Sequence, residues 1–68
     1  MNIHQAIQCA HEESVGSCVK IFVVESPKEK VEQGSLKFFP CRQDWLEGFG
    51  QGYKIVAEAY PNGKICRY

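Results

Sequence analysis

Apolar or small side chains stand at Ile3, Ala6, Ile7, Ala10 and Ser14, the i, i+3, i+4, i+7 spacing of one helix face. They predict an amphipathic helix over Ile3–Ser14. Asn2 before it and Gln5 three positions on form a capping-box pattern, and Gly16 reads as the terminator. From Ser17 the pattern changes. SCVKIFVVE is β-branched and aromatic, and predicts a strand over Ser17–Glu25. The charged stretch to Gly34, with Pro27 near its start, reads as a loop. SLKFFP predicts a second strand over Ser35–Pro40, and RQDWLEG a helix of one to two turns over Arg42–Gly48. GYKIVAEAY and KICRY predict two final strands joined through Asn62-Gly63, the dipeptide favoured in type I′ hairpin turns. The order α-β-β-α-β-β defines an α+β fold with a single domain over residues 1–68. A four-stranded antiparallel sheet would carry the amphipathic helix on one face, with the short helix as the second.

A two-residue turn sets an expected register. Tyr60 would face Ile65, Ala59 would face Cys66, Glu58 would face Arg67, and Ala57 would face Tyr68. Facing residues share a sheet face. One face then holds Tyr53, Ile55, Ala57, Ala59, Cys66 and Tyr68, whose alanines suit close approach by a helix. The other holds Lys54, Val56, Glu58, Tyr60, Ile65 and Arg67, with Glu58 and Arg67 as a cross-strand ion pair. In the first strand Val19, Ile21 and Val23 oppose Lys20, Phe22 and Val24. In the second, Leu36 and Phe38 oppose Phe39. Apolar groups thus point to both faces, and one long helix covers only one. Uncovered apolar surface rimmed by charge marks a contact site, unless the short helix and the Pro27–Gly34 loop fold over it.

Composition narrows the function classes. A chain of 68 residues buries only about 60% of the surface its unfolded form exposes. Domains this small commonly gain stability from disulfides, a metal or a partner chain. Lys+Arg 8 against Asp+Glu 8 is the wrong balance for a general electrostatic binder of nucleic acid. MNIHQAIQCAHEE has neither the cationic start nor the unbroken apolar core of a signal peptide. IFVV is too short to span a bilayer. The expected compartment is the cytoplasm, where Cys9, Cys18, Cys41 and Cys66 are free thiols.

Cys41 is the sharpest candidate for chemistry. At the N-cap of the short helix and next to Arg42, its thiolate would be favoured and the thiol reactive. No C-x-x-C accompanies it, and both histidines, His4 and His11, lie on the first helix. The competing reading is a small residue at a Pro-Cys corner. GFGQG follows a helix and precedes a strand, the reverse of a phosphate loop. His4 and His11 are two helical turns apart, roughly 10 Å, and Cys9 points away from His11, so no metal site is expected. Asp44 and Glu47, an i, i+3 pair, read as solvated carboxylates, and Trp45 as the anchor of the short helix.

These readings lead to a non-enzymatic, cofactor-free binding protein. It would act on another protein or on a second copy of itself, as inhibitor, adaptor or self-associating subunit. The expected contact residues are Phe22, Lys54, Tyr60, Ile65 and Arg67. The alternative is a single-stranded nucleic-acid module in which Lys54, Tyr60 and Arg67 share a sheet face and stack bases.

Overall fold

A computed structural model describes all 68 residues. The first helix, α1, spans Ile3–Ser17. Its capping box is formed as expected: Gln5 N–H donates to Asn2 Oδ1 at 2.8 Å, and Asn2 N–H donates to Gln5 Oε1 at 3.0 Å. The helix runs past Ser14 and through Gly16, which has open space around it. It stops instead at Cys18, where φ of 56° turns the chain left-handed. Strand β1, Ile21–Glu25, therefore starts later than expected.

Lys28–Glu32 forms a one-turn helix, α2, within the stretch expected to be a loop. None of its residues belongs to either core cluster of the sheet. Strand β2 is Phe38–Cys41, α3 is Gln43–Phe49, β3 is Lys54–Ala59 and β4 is Ile65–Arg67. The four strands form one antiparallel sheet in the order β2-β1-β3-β4. No helix is long and apolar enough to cross a membrane.

The last hairpin departs from expectation. Ala59 faces Ile65, Glu58 faces Cys66 and Ala57 faces Arg67, one residue away from the two-residue-turn register. Pro61 is the reason. In the expected hairpin Pro61 and Lys64 would close the turn, and Pro61 has no N–H to give that pair. The loop enlarges to Pro61-Asn62-Gly63. Pro61 takes the second position of the turn, where its fixed φ fits, and Gly63 adopts φ of 90°. Gly63 N–H donates to the Tyr60 carbonyl (2.9 Å), and Tyr60 N–H to the Lys64 carbonyl (2.8 Å). Asn62 Oδ1 accepts from Lys64 N–H at 2.9 Å. This is the three-residue loop with a glycine bulge.

A second irregularity lies between β1 and β3. Val23 pairs with Ala57 but Val24 pairs with Ile55, so Val56 is an inserted residue. The bulge lets Val56 and Ala57 both join the core beneath α1. That core contains Ala6, Ala10, Ile21, Val23, Val56, Ala57 and Ala59, with Ile3, Ile7 and Phe38 at its edge. Alanine meeting alanine brings α1 close to the sheet, as the sequence implied. Ser14 is fully buried at this contact. Its hydroxyl hydrogen-bonds to the Val19 carbonyl at 2.7 Å and lies 3.1 Å from the Ala59 carbonyl.

The opposite face, called here the far face, has a core of its own. Strands β2 and β3 run the same way with β1 between them, and α3 carries the chain across. Trp45, Leu46, Tyr53 and Phe39 thereby pack on Phe22, Val24 and Cys41. Trp45 meets Phe39 and Tyr53 edge-on, with ring centroids 5.3 and 5.1 Å apart, the favoured aromatic geometry. The short helix thus covers the part of the far face next to β2.

Candidate functional site

The two helices leave the β3–β4 side of the sheet bare. α1 packs over β1, β2 and β3, and the aromatic cluster of α3 sits toward β2. Ile55 on the far face, Ile65 on the α1 face and Tyr68 beyond β4 are 38%, 36% and 73% exposed. Large apolar side chains therefore reach solvent on both sides of one sheet edge.

The five expected contact residues do not form one patch. Ile65 and Arg67 face Ala59 and Ala57, which points them to the α1 side. Lys54 pairs with Glu25, while Ile55 beside it pairs with Val24 of the far-face core. Lys54 is therefore also on the α1 side. Phe22 and Tyr60 belong to the far face, and Phe22 is buried. The three-residue loop and the Val56 bulge cause this separation, since each changes the parity by one residue. The shared Lys54–Tyr60–Arg67 face is thus not formed. Cys66 moves the other way and joins the far face opposite Glu58.

Nor do Glu58 and Arg67 pair. Glu58 is buried, and its partner is Lys20, just before β1. Tyr60 Oη donates to Glu58 Oε1 at 3.3 Å. The Lys20 ammonium lies 4.9 Å from the centre of the Phe22 ring and 5.2 Å from that of Tyr60. Its hydrogen bond to Glu58 raises the Lys20 pKa above the ordinary value; desolvation opposes this and the carboxylate's charge adds to it. A charged pair and two rings thus seal the far face beside β4. The available signal for this pairing was the alternation Lys20-x-Phe22 at the entry to β1, which sets the lysine on the same side as the buried ring.

Cys41 is the last residue of β2, not a helix cap; Arg42 holds the N-cap position. The thiol is buried, and desolvation, with the charge of Glu13 adding, pushes its pKa up to about 11. That is the reverse of activation. Arg42 turns to Glu13 of α1, with Nε 3.6 Å from Oε2. Cys41 instead fills the corner between β2 and α3. Cys9 and Cys18 are exposed, Cys66 is half-buried, and all four thiols are free. His4, His11 and Cys9 do not cluster, and no group of three or more His, Cys, Asp or Glu side chains is placed to hold a metal ion. The chain matches no protein-family model, no curated protein and no solved structure.

Proposed function

We propose that this protein is a cytoplasmic, non-enzymatic binding module that acts by associating with another protein chain through the β3–β4 side of its sheet. The carrying observation is the bare edge strand: Ile65 and Tyr68 reach solvent beside β4, and Ile55 does so on the adjoining far face. Elsewhere the sheet is packed under α1 or under Trp45 and its neighbours. These three side chains lie along one sheet edge, on its two sides, and apolar surface that neither helix covers favours a protein partner. Four thiols without a disulfide partner are compatible with a reducing compartment.

The nucleic-acid reading has less support. Its bases Lys54 and Arg67 lie on the opposite side from Tyr60, and Lys20, the cation beside Tyr60, is engaged by Glu58. The test is a triple variant, Ile55→Ser, Ile65→Ser, Tyr68→Ser, checked for its fold by circular dichroism. Light scattering and affinity capture against the wild type should show association lost in the variant. A wild type that stays monomeric and captures nothing ends the reading. Tight, salt-sensitive retention of a single-stranded oligonucleotide would replace it with the alternative.

A further inference from the structure

We infer that the free edge of β4 pairs antiparallel with β4 of a second copy of this chain, in the register that sets Ile65 against Arg67 and Cys66 against Cys66. This rests on the protein-binding reading and names its partner. The register follows from hydrogen-bond parity. Tyr60 N–H donates to the Lys64 carbonyl at 2.8 Å, and Tyr68 N–H to the Val56 carbonyl at 3.0 Å. Bonded pairs alternate with non-bonded pairs in an antiparallel ladder. Lys64, Cys66 and Tyr68 therefore turn their backbone groups toward β3. Ile65 and Arg67 turn theirs outward, symmetrically about Cys66. A two-fold axis at Cys66 satisfies these outward groups with the same groups of the second copy, each Ile65–Arg67 pair exchanging both of its N–H···O bonds.

The other edge of the sheet cannot do this. Ser26 N–H donates to the Lys37 carbonyl at 2.8 Å, so by the same parity Phe38 and Pro40 face outward from β2. Pro40 has no N–H, and a proline on an edge strand blunts pairing. β4 has no proline; its shortness and the charges of Lys64 and Arg67 weaken pairing at this edge without removing a backbone donor. Its side chains also suit self-pairing. Arg67 would face Ile65 and Lys64 would face Tyr68, so no like charges stand opposite each other. A three-residue strand buries far less than the roughly 800 Å² per partner of a standard interface. The dimer is accordingly of the weak, concentration-dependent class.

The two Cys66 residues would form a non-bonded cross-strand pair with Cα atoms about 4.5 Å apart, within the span of about 4.4–6.8 Å that a disulfide bridges. They can report the register. In a Cys9→Ser/Cys18→Ser chain, the thiol oxidant diamide should yield a covalent dimer mapped by peptide mass spectrometry to Cys66–Cys66. Moving the thiol by Ile65→Cys with Cys66→Ser places it opposite Arg67, and cross-linking should be at least about tenfold slower. Arg67→Pro removes an outward N–H at an edge position that tolerates proline. Sedimentation equilibrium should show the dimer weakened at least about tenfold, with the monomer's circular dichroism unchanged. A dimer indifferent to Arg67→Pro that cross-links equally well from position 65 overturns the edge pairing and leaves the protein-binding reading standing. So does a chain that remains monomeric at every concentration yet captures a different protein through Ile55, Ile65 and Tyr68. A monomer that captures nothing removes both.

Discussion

Lys20 and Glu58, 38 positions apart in the sequence, close the far face together: the ammonium sits on a buried carboxylate, between the rings of Phe22 and Tyr60. Removing one partner should harm more than removing both. Lys20→Met leaves the Glu58 carboxylate buried without its counter-charge, whereas Lys20→Met with Glu58→Gln leaves no charge to desolvate. The single variant should melt at a clearly lower temperature, and the double variant should recover most of the difference. Equal melting temperatures for the single and double variants would mean that solvent already screens Glu58.

The same pair predicts an alkaline limb. Its folded-state pKa is raised, so the stability that Lys20 contributes is fully present below the ordinary lysine value of 10.5 and is lost as pH rises through the higher folded value. Cys41 acts with the same sign, because its thiol ionises near 9.0 when unfolded and at about 11 when folded. Urea midpoints should therefore fall between pH 9 and pH 11, and more gently in a Cys41→Ala chain. Adding Lys20→Met and Glu58→Gln should flatten what remains of the decline above pH 10.5. Midpoints that stay level from pH 9 to pH 11 in the wild type would contradict the Cys41 shift. Midpoints that stay level as pH rises further above 10.5 would contradict that of Lys20.

Thiol accessibility gives an independent check on Cys41. Iodoacetamide near neutral pH should modify Cys9 and Cys18 first and Cys66 more slowly, because only the first two are exposed. Cys41, buried and with its thiolate disfavoured, should react last, on the timescale of local opening. Selective early labelling of Cys41 would restore the reactive-thiol reading.

Much of the fold was legible because local chemistry and burial agree over most of the chain. The Ile3–Ser14 spacing, the Asn2–Gln5 cap and the alternation Ile21-Phe22-Val23-Val24 each pointed to the structure that forms. The candidate site was less legible, for a reason of parity. Side-chain direction in a strand reverses with every added residue, and β3–β4 contains two additions. One was readable in Pro61, which cannot donate at the pair closing a two-residue turn. The other, at Val56, lies in the uniformly apolar run Ile55-Val56-Ala57, where no residue type marks a bulge. α2 was hidden for a different reason: its single turn, KEKVE, holds one apolar residue, Val31, so no apolar periodicity records it.

The glycines around α3 should respond in opposite ways to one added methyl group. Gly48 lies inside the helix with open space around it. Gly48→Ala should stabilise by roughly 0.5–1 kcal/mol through helix propensity. Gly50 caps the helix, and a Cβ there would come within 2.5 Å of the Leu46 carbonyl oxygen and 2.8 Å of its Cα. Backbone atoms cannot yield cheaply, so Gly50→Ala should destabilise by about 1–3 kcal/mol and loosen Trp45 with the end of α3. Urea titration followed by the fluorescence of this single tryptophan measures both. A stabilising Gly50→Ala would show that α3 does not end against Leu46.

Gly63 tests the hairpin, and with it the position of every β4 side chain. Its φ of 90° is costly for a residue with a side chain. Space is not the obstacle, since a Cβ there would lie 3.7 Å from His11 Cε1, an ordinary contact. The penalty therefore comes from the backbone and should grade with residue type. Gly63→Asn should cost least, because asparagine visits the left-handed region, and Gly63→Ala about 1–2 kcal/mol. Gly63→Val should cost more, its β-branched side chain adding crowding to the same backbone strain. In the Cys9→Ser/Cys18→Ser background, the order of stability should also be the order of Cys66 protection from iodoacetamide, since a frayed hairpin releases β4 first. If Gly63→Val matches Gly63→Asn in urea midpoint, the loop does not need a left-handed residue at position 63, and the register that puts Cys66 opposite Glu58 is wrong.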